Sequence, residues 1–295
     1  MTLIVIALAL AGERLLSNLR RWREYDWFGS YLTRLQDISL LEPAWQSAGG
    51  LIVLLPPLIV VGLLQILLHG GVLTVLGLAF SVLVLIFALG PRDLWEEVNA
   101  LIAARESGDE AEAQRLAVDL ATFAGRRPSR ANGQMLVRAV VIQCNERLFG
   151  TLLWFFFLGP LGAVLYRMAA EFPSQLRKIK ADEELIEVAL RFHGLLAWVP
   201  VRVVALLYGL AGSTDGALKG WRKAQAASDD NWAQKNWRLL ADTGRGALLI
   251  EEGADHHRVN LGLNDTLREA LGLLTRSLII LLAVLAAFTI GGWIA

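Results

Sequence analysis

Residues 43 to 91 contain 49 positions without a single Asp, Glu, Lys or Arg. In an average soluble domain about a quarter of residues are charged, so a run of this length has no natural place there. A bilayer requires one, because an ionised side chain at its centre costs roughly 3 kcal/mol or more. Ala48 to Leu68 gives 21 uncharged residues and Val72 to Leu89 gives 18, each near the ~20 needed to cross about 30 Å of hydrocarbon. Only His69, Gly70 and Gly71 separate them. The pair reads as a transmembrane hairpin over residues 48–90, bent by Pro56-Pro57 and flanked by Trp45 and Trp95 at headgroup level. Ser277 to Ala295 reads as a C-terminal span (277–295). Met1 to Ala11, apolar but lacking a basic flank, reads as a retained helix rather than a cleaved leader.

Two further apolar segments are interrupted. Leu148 to Tyr166 contains Gly159-Pro160, and Phe192 to Thr214 contains Val199-Pro200 followed by Arg202. Proline removes a backbone donor, and lipid tolerates the freed carbonyl only where protein or water takes it up. Residues 148–214 are therefore expected to be broken membrane segments facing protein, one of them made of re-entrant or steeply tilted half-helices. Basic residues number five in 13–46, eight in 91–147, five in 167–191 and nine in 215–276, with none at the hairpin tip or after Arg276. By the positive-inside tendency the basic loops belong in the cytoplasm.

Those loops read as helical. Ser107-Gly-Asp-Glu110 suggests a capping box between amphipathic runs at Leu94 to Ala104 and Glu110 to Ala124, a cytoplasmic helical hairpin within 91–147. Thr266-Leu-Arg-Glu269 suggests the cap of a helix that runs on into the last span. Within the cytoplasmic helical region 215–276, Ala217 to Gly253 carries Trp221, Trp232 and Trp237 among charges at helical spacing, suited to a membrane surface or to packing on the hairpin. No segment shows the period-2 alternation of a strand. The expected fold is all-α: a multi-pass helical membrane protein, one domain over 1–295, with Pro/Gly-broken membrane segments and a cytoplasmic helical hairpin.

Twenty-eight basic residues balance 28 acidic ones, which leaves no field to hold nucleic acid. One cysteine, Cys144, excludes an internal disulfide framework. Phosphate loops, dinucleotide turns, zinc-protease helices and nucleophile elbows are all missing from the sequence, so no catalytic residue, metal centre or cofactor is expected. Asp255-His256-His257 reads as a solvated loop rather than a metal site, and Asn264-Asp265-Thr266 as a helix cap rather than a glycosylation site. The Trp154-Phe155-Phe156-Phe157 run reads as lipid-facing packing.

Ionisable groups in apolar surroundings are more informative, since each must find a counter-charge or water. Glu13 and Arg14 follow the first helix, Asn145 and Glu146 open the third apolar segment, Arg191 and His193 precede the Pro200 break, and Arg202 follows it. Pairing of Arg202 with Glu146 or Glu13 would make a polar pocket for a carboxylate- or phosphate-bearing ligand. The alternative is a salt bridge that merely joins helices.

The stretches Cys144-Asn-Glu-Arg-Leu-Phe-Gly150, Leu158-Gly-Pro-Leu-Gly-Ala-Val-Leu-Tyr-Arg167 and Ala197-Trp-Val-Pro-Val-Arg-Val-Val-Ala-Leu-Leu-Tyr-Gly209 resemble the AmpE family of Gram-negative inner-membrane proteins. That resemblance implies a modulator of inducible β-lactamase linked to cell-wall recycling. The chain also resembles, more distantly, the CobD/CbiB family, which joins cobyric acid to an aminopropanol unit by ATP-dependent amide synthesis. The shared frame includes Gly108-Asp109, Gly125-Arg126, Gly150, the turn ending at Tyr166 and Trp198-Val-Pro-Val-Arg202. Acids of that family are replaced here: Phe149 stands at an aspartate position, Ala170 to Ser174 replaces N-T-x-D-S, and His193-Gly194 replaces an Asp pair.

The resulting expectation is the scaffold without the synthase chemistry: an inner-membrane sensor with a ligand pocket built from Glu13, Arg14, Asn145, Glu146, Tyr166, Arg167, Arg191, His193 and Arg202. Its partners would be the bilayer, a small anionic cell-wall-related ligand or an envelope protein, and a second copy through Gly159 to Ala163. The competing expectations are an amide-forming enzyme of altered substrate and a membrane interaction protein with no small ligand.

Overall fold

The apolar blocks become helices, as their composition requires, since helices satisfy every backbone group within the segment. The computed structural model describes residues 2–15, 26–36, 48–68, 74–90, 93–122, 126–227, 231–249 and 262–291. No strand occurs among them, and the chain is an all-helical membrane protein. In order it runs α1 (Thr2–Leu15), α2 (Asp26–Gln36), a 3-10 segment (Ala48–Leu54), α3 (Leu55–Leu67), α4 (Thr74–Ala88), α5 (Leu94–Glu106) and α6 (Glu110–Ala121). There follow α7 (Gly133–Cys144), a π segment (Asn145–Phe149), α8 (Gly150–Leu158), α9 (Pro160–Lys178) and α10 (Glu183–Ala211). Last come α11 (Thr214–Ala226), α12 (Trp232–Ala247) and α13 (Leu263–Ile290). Three stretches are long and apolar enough to cross a bilayer: Gly50–Leu67, Glu183–Ala211 and Leu263–Ile290. The hairpin tip at His69 to Gly71, Trp45 and Asp255 to His257 lie outside the described residues.

The helices form two compact units, with α10 and α13 contributing to both: Met1–Pro91, Gly150–Leu196 and Leu285–Ala295 in one, Arg92–Phe149 and Ala197–Val284 in the other. In the first unit α1 packs on α4, while α9 packs on α3, α4 and α8. Phe28 and Leu32 of α2 join Val53, Leu54, Met168, Phe172, Leu176, Leu185 and Ile186 in one apolar cluster. The Tyr31 hydroxyl donates to Val53 O at 2.9 Å. Outward side chains on α3 and α4, such as Leu63, Ile66 and Val75, are exposed, as lipid-facing residues would be. Pro56 and Pro57 sit in the first turn of α3, where the chain leaves its 3-10 segment. Proline is compatible there because first-turn N–H groups have no intrahelical acceptor.

In the second unit, α5 and α6 pack on each other, and the cap between them differs from the expected one. Asp109, not Ser107, is the N-cap: its carboxylate accepts from Glu112 N at 3.0 Å. Gly108, at φ +76°, stands between α5, which ends at Glu106, and that cap, which lies two residues later than the Ser-x-x-Glu pattern implies. Likewise α13 starts at Leu263 rather than near Thr266, with Gly262 O accepting from the Asp265 and Thr266 amides. It then continues without interruption into the apolar C-terminal stretch. Helices α11 and α12 pack on each other through glycines. A Cβ on Gly216 would lie 2.0 Å from Gly246 O, and one on Gly220 would lie 2.1 Å from Asp242 O. No side chain fits at either crossing.

The two expected breaks have opposite outcomes. Leu148 to Tyr166 does reverse: α8 ends at Leu158, Gly159 adopts φ +66°, and α9 starts at Pro160. The chain folds back closely, since a Cβ on Gly162 would meet Trp154 O at 2.1 Å. That glycine is taken up by an internal contact. Phe192 to Thr214, by contrast, is not broken at Pro200. Pro200 lies inside the 29-residue helix α10.

Candidate functional site

Each unit buries polar groups of its own. The first unit's centre follows from the reversal at Gly159. Folding α9 back along α8 brings the Tyr166 ring over Gly150, where a Cβ would lie 2.2 Å from the ring. On its other flank the ring meets His193 of α10, with centroids 5.7 Å apart. Both side chains are buried. Next in sequence, Arg167 is 4% exposed, and its Nη2 donates to Glu171 Oε1 at 2.7 Å. The i,i+4 spacing on α9 makes that pair. Gly90, at φ +105°, lies against the same guanidinium: a Cβ there would be 3.2 Å from Nη2.

The Arg167–Glu171 pair is asymmetric. Its cation is buried, whereas the Glu171 side chain is 25% exposed. A buried arginine requires an anion, but the anion need not be Glu171. A ligand carboxylate or phosphate reaching this edge can replace the internal one, and the arginine fork matches both groups. The Thr151 hydroxyl, fully buried in the same unit, has no hydrogen-bond partner among the described residues.

The second unit's centre lies where α7 passes into the π segment. Asn145 and Glu146 are buried there, with Asn145 Nδ2 donating to Glu146 Oε1 at 3.3 Å. Arg147 pairs with Glu97 of α5 at 2.8 Å. The Asn145 amide donates to Ile142 O, and Val141 O accepts from the Tyr208 hydroxyl at 2.9 Å. Phe149 stands edge-on to Tyr208. Burial raises the Cys144 thiol far above its ordinary pKa, so it remains protonated and unreactive.

Tyr166, Arg167 and His193 come together in the first unit, and Asn145 adjoins Glu146 in the second. Arg191 is corrected: it is exposed and pairs with Glu187 at 2.6 Å, because that i,i+4 partner lies one turn back on α10. The Arg202–Glu146 pairing is also corrected. The Arg202 guanidinium donates from Nη1 to Trp198 O at 2.9 Å and to Asn236 Oδ1 at 3.4 Å, and it lies over the Trp198 ring. A nearby carbonyl and indole on its own helix take the place of the distant carboxylate. The side chains of Glu13 and Arg14 lie outside the described residues. Of the aromatic run, Phe155 and Phe156 are buried and Phe157 faces outward, so it packs internally more than it meets lipid. Sequence reasoning missed Gly90 and Glu97, while the spacing of Arg167 and Glu171 was visible.

Two positions where acids for a metal-bound nucleotide are expected hold other residues: Phe149 is buried in an aromatic contact, and His193 is buried against Tyr166. Neither supplies a carboxylate there.

Residues 6–237 match the family model described as CobD/Cbib protein. The chain is 30% identical over 236 residues to a protein of Stutzerimonas stutzeri named "Cobalamin biosynthesis protein CobD", covering 74% of this chain and 75% of the relative. It is 26% identical over 265 residues to a protein of the same name from Chromobacterium violaceum, covering 85% and 81%. No solved structure is a significant match. These matches support the CobD/CbiB resemblance and not the AmpE one.

Proposed function

The chain belongs to the CobD/Cbib protein family, and from that membership we propose that it binds a carboxylate-bearing molecule at Arg167 and serves an amide-forming reaction like that of its cobalamin-biosynthesis relatives, with an altered substrate. The observation that carries this reading is the buried guanidinium of Arg167, paired within the matched region to Glu171, whose side chain is 25% exposed. Gly90 keeps backbone, rather than a side chain, against that guanidinium. His193 lies beside Tyr166. Glu171, beside Arg167, is an acid left for chemistry that the replaced positions no longer supply. The reading places the chain as a multi-pass protein of a Gram-negative inner membrane.

A second reading is favoured by Phe149 and His193-Gly194. It keeps the anion site and drops the synthesis, leaving an AmpE-type modulator of inducible β-lactamase that senses a cell-wall-related carboxylate. Purified full-length protein in detergent, incubated with ATP, 1-amino-2-propanol and cobyric acid or smaller carboxylates, separates the two. The first reading expects an amide product by mass spectrometry and a loss of about thirtyfold or more in Arg167→Gln, the effect of removing one member of a buried charge pair. No product with any acid, together with altered β-lactam-induced β-lactamase in cells lacking the gene, would replace it with the second.

A further inference from the structure

Helix α10 presents an exposed stripe of Leu195, Val199, Leu206 and Leu210, positions that share one face at helical spacing. Arg202 falls in the middle of that stripe, three residues after Val199 and four before Leu206. The helix is long and apolar enough to cross a bilayer. An arginine on a lipid-facing stripe must find an anion, a carbonyl or water. Arg202 is only partly provided for: Nη1 reaches Trp198 O and Asn236 Oδ1, and the guanidinium stacks 3.9 Å from the centroid of the Trp198 ring. Its Nε–H and Nη2 groups form no hydrogen bond, and no carboxylate pairs with it, among the described residues.

These contacts hold the guanidinium plane in place and leave the Nε–Nη2 edge of the fork without a hydrogen-bond partner among the described residues. That edge matches two oxygens of a phosphate. Trp198, itself 40% exposed, is a residue type that favours the headgroup level. We propose that Arg202, Trp198 and Asn236 form a binding site for the phosphate of an anionic lipid headgroup, distinct from the Arg167 centre. The occupant comes from the bilayer because the neighbours of the open edge along α10 are apolar and outward-facing, a setting suited to acyl chains and not to a soluble anion. Snorkelling of the side chain supplies the reach.

The test is native mass spectrometry of the full chain in detergent, titrated with phosphatidylglycerol or phosphatidylcholine. Wild type is expected to hold one phosphatidylglycerol about tenfold more tightly than phosphatidylcholine, a preference equal to one charge-assisted contact. Arg202→Gln is expected to abolish that preference. Arg202→Lys, which keeps the charge and loses the fork, is expected to retain part of it. This second variant decides the matter if Arg202→Gln fails to fold. A preference unchanged in either variant would overturn the site, because other basic residues would then account for it. Displacement of the bound lipid by millimolar glycerol 3-phosphate would overturn the bilayer as source, as would a stoichiometric protein partner retained in its place.

Discussion

Pro160 and Pro200 interrupt two neighbouring apolar segments, yet only Pro160 stands at a helix boundary. The prolines do not make the difference. Gly159 beside the first adopts φ +66° and ψ −151°, a backbone region open essentially to glycine alone, and the chain reverses there. Val199 beside the second remains helical, so α10 continues and must accommodate the loss of one backbone donor. Proline at 200 deprives Leu196 O of its usual i+4 N–H. The Trp154 indole supplies a substitute, with Nε1 donating to Leu196 O at 3.1 Å. At the reversal the equivalent service comes from Gln65, whose amide donates to Leu158 O at 3.1 Å and accepts from Leu161 N at 2.9 Å. A broken helix in an apolar setting thus depends on a side chain brought from elsewhere to meet the freed backbone groups.

The largest expected effect comes from closing the space that the reversal needs. Gly162→Val would place side-chain atoms where Trp154 O and the Leu158 Cβ stand, at 2.1 and 2.7 Å from the first added carbon. Backbone cannot step aside as a flexible side chain would, so the loss should exceed about 3 kcal/mol, beyond ordinary overpacking. Thermal unfolding in detergent should show a large drop in Tm or no folded protein. Near-normal stability would mean that α8 and α9 do not pack as a close hairpin.

Gln65→Leu ranks next. It removes both partners at the reversal, leaving Leu158 O and Leu161 N–H unsatisfied, at a cost of about 2 kcal/mol. Gln65→Glu should be milder, because a carboxylate still accepts from Leu161 N, or worse if burial of its charge dominates; the Leu substitution is therefore the cleaner measurement. An unchanged unfolding midpoint in Gln65→Leu would show that water already serves these groups.

Much of this was legible in the sequence. The uncharged run at 43–91 declared apolar helices, and Gly159-Pro160 declared a break, because each follows from local chemistry. The Arg167–Glu171 pair needed only the four-residue spacing of one helix. What could not be read were partners brought by the fold: Gly90 against Arg167, Glu97 on Arg147, and Trp154 on Leu196. Arg202 was misassigned for the same reason. Its partners Trp198 and Asn236 are a carbonyl on its own turn and a residue 34 positions on, neither of which carries the opposite charge that sequence reasoning looks for. Pro200 looked like a break because proline's lost donor is visible, whereas the donor that replaces it lies 46 residues upstream.

The smallest effect is the most discriminating for the contrast between the two prolines. Trp154→Phe keeps an aromatic ring but removes the donor to Leu196 O, at an expected cost of about 1 kcal/mol. Pro200→Ala restores the backbone N–H at 200, which can donate to Leu196 O in the ordinary helical pattern. In the wild-type background this substitution should therefore change little. In the Trp154→Phe background it should recover most of the loss, so the double-mutant cycle should show a coupling of about 1 kcal/mol. If the two changes simply add, the indole is packing against α10 and is not the substitute donor. The continuity of α10 would then rest on side-chain burial alone, and the distinction between the two prolines would reduce to the positive φ of Gly159.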